Sequence, residues 1–425
     1  MENYILRENY INKLKEFREK NLIKVITGVR RSGKSVVLEQ FQDELVKSGV
    51  KKNQIISLNF EKLENEELLD YKKLHVYISD KLNEKDWTYV FLDEIQMVEN
   101  FQKTVDSLYT KKQIDIYITG SNSRLLSGEL ATLLSGRYIQ IHVLPLSFNE
   151  YLKYFGVDSS EAKKALELDT LSNFNLARNP IIDFNKKFND YVKLGAFPQT
   201  LELKSQKSIY DYLDNVYNTI VVKDILARGA PIQEGILTSI TRFIFHNIGN
   251  EVSSINITNT LKSNRREASY NTVEKYLGYL KDSFIIYEAK RYDIKGKQHL
   301  KSNAKYYVVD IGLRNMLLAN KETDIGHILE NIIYLELLRR EYKVSVGKVD
   351  AKEVDFVAEN DKGTIYIQVA ASVLDLSTLN RELEPLNSIK DHFPKYLVTL
   401  DSYTAGNTYN GIRVINAIDF LIGSF

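Results

Sequence analysis

The chain has 425 residues, a formal net charge of +1, 27% charged residues and no cysteine. This composition excludes disulfides, thiol catalysis and cysteine-bound zinc, and the near-neutral charge excludes a global basic field that would attract nucleic acid. No apolar stretch reaches the ~18 residues that span a bilayer, and the first residues lack a signal pattern. We therefore expect no membrane segment, a cytoplasmic location and roughly two to three packed domains.

The first informative motif is a glycine-rich octapeptide, Gly28-Val29-Arg30-Arg31-Ser32-Gly33-Lys34-Ser35. It follows a predicted strand at residues 22–27 and precedes a helical pattern that begins at Val36. Strand, glycine loop and helix form the context of a phosphate-binding P-loop. We expect this loop and Val36 to bind ATP or GTP, with Lys34 on the β- and γ-phosphates and Ser35 on Mg²⁺. A chance match is the alternative.

A second motif places two acids after an apolar run. Residues 89–92 are apolar and precede Asp93 and Glu94, which indicates a buried parallel strand that ends in carboxylates. Asp93 is expected to assist Mg²⁺, and Glu94 is expected to polarise the attacking water. The alternative is an acidic strand end with no catalytic role. The order of the two motifs favours nucleotide binding, whereas hydrolysis needs a Glu94 geometry that a sequence does not define.

Further strands are predicted at residues 54–60, 114–119 and 138–144, with helical patterns between most of them, as in βαβ units. Ser121 or Asn122, after the fourth strand, could orient the water or sense the γ-phosphate. A turn with a helix cap explains these two residues equally well. Arg137, just before the fifth strand, could be an arginine finger, although a surface salt bridge is the preferred interpretation from the residues alone.

These motifs resemble those of a prokaryotic family of AAA-type P-loop ATPases. The matching segments are residues 27–35, 92–96, 119–123, 134–137, 145–151 and 195–198. The resemblance implies an AAA-like core with strand order 5-1-4-3-2, and ATP rather than GTP. It implies that Asp93 and Glu94 are the Walker B pair and that Ser121 or Asn122 is a sensor. It also favours Arg137 as a finger that acts on a neighbouring subunit, which requires a homo-oligomer.

The middle of the chain, residues 208–315, is predicted to be a winged-helix domain. Helical patterns at residues 208–227, 236–248, 254–261 and 269–281 precede β-like runs at residues 285–287 and 306–309. Between Lys262 and Lys305, eleven Lys/Arg outnumber five Asp/Glu. The residues that could bind the phosphates of a DNA partner are Arg265, Arg266, Lys290, Arg291, Lys295, Lys297 and Lys301. A protein-docking unit with a solvated basic face is the alternative.

The last part, residues 316–425, shows an amphipathic pattern at residues 328–338 and strands at residues 344–346, 353–357 and 364–370. Glu330 on the helix, Asp355 on a strand and a polar residue on the next strand resemble the restriction-endonuclease-like core. That resemblance implies Mg²⁺ on the carboxylates and a water-activating lysine. Gln368 and Ala370 stand where the last acid and the lysine are expected. We therefore expect a structural or binding relic, with a metal-dependent nuclease as the weaker alternative.

The leading hypothesis is an α/β ATPase that hydrolyses ATP with Mg²⁺ and couples turnover to a conformational change on DNA or a partner protein. Its predicted domains are an ATPase core at residues 1–145, a helical lid at 146–207 that covers the adenine, the winged helix and the endonuclease-like domain. The alternative is a nucleotide-gated binding module with little turnover.

Overall fold

A computed structural model describes residues 5–83, 85–126, 134–157, 184–226, 232–319 and 325–423. The chain forms two compact units, one of Met1–Pro145 with Asp282–Phe284 and one of Leu146–Lys281 with Ile285–Phe425. Residues 158–183 of the predicted lid, the end of the helix predicted at 208–227 and the side chain of Lys301 lie outside the described part of the chain. The division into four domains stays a prediction.

The first unit is built on a five-stranded parallel sheet. Its strands are β1 (Ile23–Thr27), β2 (Ile55–Asn59), β3 (Thr88–Asp93), β4 (Ile114–Gly120) and β5 (Tyr138–His142), and its helices are α1 (Glu8–Glu16), α2 (Lys34–Lys47), α3 (Tyr71–Ser79) and α4 (Phe101–Tyr109). The strand order β2-β3-β4-β1-β5 confirms the predicted order 5-1-4-3-2. Because all four strand pairs are parallel, the carboxyl ends of the strands meet at one edge of the sheet.

Two apolar cores cover the two faces of this sheet. Successive side chains of a strand point to opposite faces, so Val25 packs in one core with Leu92, while Ile26 packs in the other with Phe41 and Phe91. Burial on both faces explains the continuous apolar runs at these strands. Polar side chains consequently gather at the ends of the strands, where the sheet meets the loops.

The second unit combines helices with one large mixed sheet. Its described helices are α5 (Phe148–Tyr154), α6 (Phe184–Leu194), α7 (Gln206–Thr219), α8 (Glu234–His246), α9 (Ser254–Ser263), α10 (Tyr270–Asp282), α11 (Ile311–Leu317), α12 (Ile325–Arg339), α13 (Leu376–Asn387) and α14 (Ala417–Ile422). Its strands are β6 (Glu251–Val252), β7 (Ile286–Asp293), β8 (Gln298–Val308), β9 (Lys343–Val349), β10 (Lys352–Asn360), β11 (Gly363–Ala370), β12 (Lys395–Thr399), β13 (Thr408–Tyr409) and β14 (Ile412–Asn416). The sheet order is β13-β14-β12-β11-β10-β9-β7-β8-β6.

The hairpin of β7 and β8 is longer than the two runs that predicted it, and β7 is not an edge strand. Strand β7 pairs in parallel with β9 through Arg291↔Val346, Tyr292↔Gly347 and Asp293↔Lys348. This pairing satisfies backbone groups that a free edge strand would expose. One sheet therefore runs across residue 315, where the sequence predicted a domain boundary.

The pattern at residues 328–338 forms helix α12, but the prediction of an amphipathic helix is wrong. Ten consecutive residues, 328–337, are buried, because the helix packs between strands β8 to β11 and helix α14. Its polar side chains find partners inside. Asn331, for example, accepts a hydrogen bond from the N–H of Val308 at 2.8 Å and donates to its carbonyl at 2.9 Å.

Candidate nucleotide-binding site

The octapeptide forms a tight loop between β1 and α2 at the carboxyl edge of the parallel sheet. Gly28, Arg31 and Gly33 have positive φ values of 145°, 65° and 96°. A Cβ on Gly28 would lie 2.1 Å from the carbonyl oxygen of Val143, so only glycine fits at this position. Gly33 is the N-cap of α2, and the first N–H groups of this helix have no partner within the helix. The loop therefore offers backbone donors of the kind that bind phosphate.

Lys34 begins helix α2, and its side chain is buried. Its Nζ donates hydrogen bonds to the carbonyl oxygens of Gly28 at 3.0 Å and Val29 at 3.2 Å. The same nitrogen lies 3.8 Å from Oε1 of Glu94. The ammonium group is thus located between the glycine loop and the acidic end of β3.

Asp93 ends β3, and hydrogen-bond donors surround its carboxylate. Thr119 Oγ1 donates to Oδ1 at 2.5 Å, and Asn59 Nδ2 donates to Oδ2 at 2.7 Å. Ser35 lies beside the same carboxylate. Burial raises the pKa of Asp93 above its usual value, while the hydroxyls of Thr119 and Ser35 oppose that rise. The structure thereby brings together Ser35 and Asp93, the two predicted Mg²⁺ ligands.

Glu94 directly follows β3 in a left-handed conformation, with φ at 54°. Its backbone N–H donates to Thr119 Oγ1 at 2.8 Å. Its Oε2 accepts a hydrogen bond from Gln96 Nε2 and lies 3.5 Å from Ser121 Oγ. A left-handed backbone is unfavourable for a residue other than glycine, and it persists only where neighbouring contacts hold it in place. Here the contacts with Thr119 and Gln96 hold it, and the buried carboxylate of Glu94 faces Lys34.

The two sensor candidates lie in one turn after β4. Ser121 is fully buried beside Glu94, whereas Asn122 is partly exposed. Asn122 accepts a hydrogen bond from the N–H of Leu125 with its carbonyl, as expected of a turn that opens a short 3-10 helix. The structure therefore places Ser121 beside the acidic end of β3. It also contains a turn at Asn122, which the alternative interpretation predicted.

Arg137 lies at the opposite edge of the sheet from its own P-loop. Its carbonyl accepts a hydrogen bond from Ile23, the first residue of β1, and the P-loop follows the last residue, about 13 Å further along the strand. Its guanidinium is 2.7 Å from Asp106 and stays 44% exposed. Within one chain Arg137 thus forms a surface salt bridge, and an action on a second chain stays a prediction.

Sequence reasoning missed three residues that contact the acidic strand end. Asn59, Thr119 and Gln96 hydrogen-bond to Asp93 or Glu94. A signal for the first two was present, since both are polar residues at the carboxyl ends of predicted strands that neighbour β3. Gln96 lies within the motif at residues 92–96, but its position after the strand indicates no role by itself.

Arg7 is a fourth residue at this site, and no motif points to it. It is 2% exposed. Its NH1 donates to the carbonyl of Ser32 at 3.0 Å, and its NH2 donates to the carbonyl of Leu144 at 2.9 Å. The guanidinium thus ties the P-loop to the segment after β5. Only the folded chain reveals this, because residues 7, 32 and 144 are far apart in sequence.

The residues around the loop fit a nucleoside triphosphate with Mg²⁺. Among the described residues, Ser32 Oγ is buried without a hydrogen-bond partner, and it lies 3.2 Å from the place that a Cβ on Gly28 would take. The loop supplies an ammonium and backbone N–H donors for phosphate oxygens. Ser35 and Asp93 supply the oxygen ligands that Mg²⁺ prefers.

Comparison with known proteins agrees with this geometry. A family model described as an AAA domain matches residues 20–152, and another described as a domain of unknown function (DUF8612) matches residues 185–324. An uncharacterized protein of Haemophilus influenzae is 40% identical over 419 residues, which cover 98% of each chain. The chain belongs to the AAA-type P-loop ATPases.

Other relatives of this AAA-type chain are more distant. The uncharacterized protein MJ1544 of Methanocaldococcus jannaschii is 30% identical over 370 residues, 86% of this chain and 77% of that protein. A solved Walker-type ATPase of Pyrococcus abyssi shares 16% identity, covers 75% of this chain and 97% of its own, and superposes with a TM-score of 0.49. Since that score is low, the family assignment depends on the sequence matches.

Two further observations limit what the described part of this AAA-type chain contains. No helix there has the length and apolar character needed to cross a membrane. No three His, Cys, Asp or Glu residues there are grouped so that they could bind a metal ion by themselves.

Proposed function

We propose that this chain binds ATP with Mg²⁺ and hydrolyses it. The observation that supports this most strongly is the convergence of Lys34, Ser35, Asp93 and Glu94 at one edge of the parallel sheet, beside a glycine loop. These four side chains come from α2 and the end of β3. Each has the chemistry that one part of phosphoryl transfer requires.

The roles follow from the contacts. Lys34 neutralises charge on the β- and γ-phosphates, and the loop N–H groups add fixed dipoles for the charge that develops in the transition state. Ser35 and Asp93 would hold Mg²⁺, which would withdraw electron density from the phosphate oxygens. Glu94, 3.8 Å from the Lys34 ammonium, orients the attacking water and accepts its proton. Ser121 limits the orientations of the Glu94 carboxylate.

Substitution of Glu94 separates binding from turnover. We expect Glu94→Gln to bind a fluorescent ATP analogue as tightly as the wild type and to lose about 10²- to 10⁴-fold in phosphate release, because the amide cannot accept the proton. Lys34→Ala should lose binding itself. Glu99→Gln is the matched control, since Glu99 is an exposed acid close by in the chain. Normal turnover by Glu94→Gln would show that the assigned base is wrong.

Arg137 extends the proposal to an oligomer. It is half-exposed and lies at the edge of the sheet remote from its own P-loop, which suits a role on the nucleotide of a second copy. Lys34→Ala and Arg137→Gln chains should each be inactive, and their mixture should regain turnover. In a mixed oligomer, Arg137 of the Lys34→Ala chain can act on the intact P-loop of the Arg137→Gln chain. Asp106→Asn, which frees Arg137 from its partner, serves as the control. No recovery in the mixture, at concentrations where light scattering shows oligomers, would exclude this role.

A DNA partner coupled to ATP turnover is a second, separate proposal. Among the described side chains of these basic candidates, three contact other groups of the chain. Arg291 pairs with Glu251 at 2.9 Å, Lys295 pairs with Asp350 at 2.6 Å, and Arg266 donates to the carbonyl of Gly235 at 2.9 Å. The exposed charges of Arg265 and Arg266, between α9 and α10, support the proposal. Duplex DNA titrated at two salt concentrations should bind more weakly at the higher one.

The DNA titration has its own variants and controls. Arg265→Gln with Arg266→Gln should weaken binding, and Lys47→Gln, an exposed lysine of the first unit, should not. ATP turnover measured with and without DNA tests the coupling. If DNA binding is absent or insensitive to salt, DNA is excluded as a partner. The ATPase proposal does not depend on that result.

A further inference from the structure

A pocket in the second unit gathers three carboxylates around one buried ammonium. Lys305 lies on β8 and is buried. Its Nζ is 2.9 Å from Glu330 Oε1, 2.7 Å from Glu353 Oε1 and 3.5 Å from Asp355 Oδ1. Glu330 comes from α12, and the other two acids come from β10. These groups line a cavity of about 460 Å³.

Four further hydrogen bonds surround this cluster. Tyr307 donates its hydroxyl to Glu330 at 2.6 Å, and the N–H of Val369 donates to Asp355 Oδ2 at 2.9 Å. Gln368 accepts from the N–H of Asp355 at 3.3 Å and donates to Glu382 at 3.0 Å. The bonds from Tyr307 and Val369 fix the directions of the Glu330 and Asp355 carboxylates, each of which also contacts the ammonium.

The electrostatics of the cluster depend on the charge of Lys305. Burial opposes that charge, but Glu330, Asp355 and Glu353 outweigh burial and raise the pKa of Lys305. Burial raises the pKa of Asp355 to about 7 and also raises the pKa of Glu330 and Glu353. A buried carboxylate is costly without a counter-ion. The ammonium is the counter-ion that this cluster contains.

Glu330 and Asp355 are the acids that the sequence compared with the metal ligands of a nuclease-like core. The distances here are those of ammonium hydrogen bonds, near ~2.8 Å, and not the ~2.1 Å of Mg²⁺ to oxygen. A divalent cation at the point where the three oxygens converge would overlap the ammonium and be repelled by it. Sequence reasoning missed Lys305, because it lies in another predicted domain, 25 residues before Glu330.

We propose that the Lys305 ammonium takes the place of a divalent cation in this pocket, so that the pocket binds neither Mg²⁺ nor Mn²⁺ and cleaves no phosphodiester. Lys305 is then the residue that excludes the metal. Removal of its side chain leaves three carboxylates that need to approach one another by about 1 Å to reach metal–oxygen distances. This inference is independent of the proposed ATPase activity, since it concerns another unit of the chain.

The test is a Mn²⁺ titration of the nucleotide-free full chain, followed by electron paramagnetic resonance. Wild type and Asp355→Asn should bind Mn²⁺ identically, because any weak binding near Asp93 is common to both. Lys305→Ala should gain one site at least about tenfold tighter than any in the wild type. Lys305→Ala combined with Asp355→Asn should lose that gain. Lys352→Ala, a lysine of β10 paired with Glu384, should gain no site.

Two outcomes would overturn the inference. The first is a saturable Mn²⁺ site in the wild type that Asp355→Asn removes, or Mn²⁺-dependent plasmid nicking with the same dependence. The second is a folded Lys305→Ala chain, as judged by circular dichroism, with no additional Mn²⁺ site. If Lys305→Ala does not fold, Mn²⁺ binding by wild type and by Asp355→Asn still tests whether the pocket excludes the metal, because both chains keep Lys305.

Discussion

Gly28 and Val143 pack so closely that a Cβ on the glycine would lie 2.1 Å from the carbonyl oxygen of the valine. The N–H of Val143 donates to the carbonyl of Thr27 at 2.8 Å. The start of the P-loop and the segment after β5 are therefore joined backbone to backbone. The first glycine of the motif thus has a packing function in addition to the phosphate contact proposed for this loop.

We expect Gly28→Ala to weaken binding of a non-hydrolysable ATP analogue at least about tenfold and to lower the melting temperature, since overpacking costs ~1–3 kcal/mol. The measurements are calorimetric titration and thermal unfolding. Gly49→Ala is the matched control, because Gly49 also has a positive φ, 98°, and nothing lies within 4 Å of its Cβ position. Gly49→Ala should bind normally. Equal losses in both variants would show that backbone strain, and not contact with Val143, is responsible.

Asn59 is expected to tune the Mg²⁺ requirement through its hydrogen bond to Asp93 Oδ2. Asn59→Leu removes the donor from a buried carboxylate at similar volume, and the loss of a hydrogen bond to a metal ligand costs about 10- to 100-fold in metal affinity. The Mg²⁺ concentration for half-maximal ATP turnover should rise accordingly. Asn53→Leu, an exposed residue just before the amino end of the same strand, should leave it unchanged. An unchanged Mg²⁺ requirement in Asn59→Leu would contradict the role of Asp93.

Arg7 is expected to act as a positioning residue for the P-loop. Arg7→Gln removes the bridge between the carbonyls of Ser32 and Leu144, so the loop must be ordered by the nucleotide itself. We expect the KM for ATP to rise about tenfold while kcat changes less than about twofold. Arg18→Gln removes an arginine that binds Ser48 and Tyr89 and should change neither constant. A fall in kcat at constant KM would place Arg7 in the chemistry and contradict a positioning role.

Asp310 is expected to make the stability of the second unit fall as pH rises. Its carboxylate accepts hydrogen bonds from the N–H groups of Ala196 at 2.6 Å and Leu313 at 2.8 Å, and burial raises its pKa from 3.8 to about 6. Between pH 3.8 and about pH 6, Asp310 is protonated in the folded chain and deprotonated in the unfolded chain. The free energy of unfolding therefore decreases from pH 4 to pH 6 and is level above it.

The comparison with Asp310→Asn isolates this effect. Relative to that variant, the wild type should lose up to about 3 kcal/mol of stability between pH 4 and pH 6.5. Asp375→Asn provides a control of opposite sign, because Ser377 and Thr378 lower the pKa of Asp375. That carboxylate stabilises the fold above its unfolded pKa, and the contribution is lost at lower pH. If the difference in the free energy of unfolding between Asp310→Asn and wild type does not change with pH, Asp310 titrates normally.

The family and the ATPase fold could be predicted from the sequence alone. The glycine loop, the acidic strand end and the strands depend on local patterns, namely glycine positions, apolar runs and their spacing. The strand order came from the resemblance to AAA-type ATPases. Ser35, Lys34 and Asp93 lie within or directly beside such patterns. Local patterns were therefore sufficient to name them as candidates.

Only the tertiary structure decided which distant groups meet. Residues 7, 32 and 144 come together at the P-loop, Lys305 reaches the acids of α12 and β10, and β7 joins β9 across a predicted domain boundary. The same long-range packing buries α12 on all sides and separates Arg137 from its own P-loop. Burial and the pairing of strand edges are properties of the whole fold, so a residue's neighbours in sequence do not contain them.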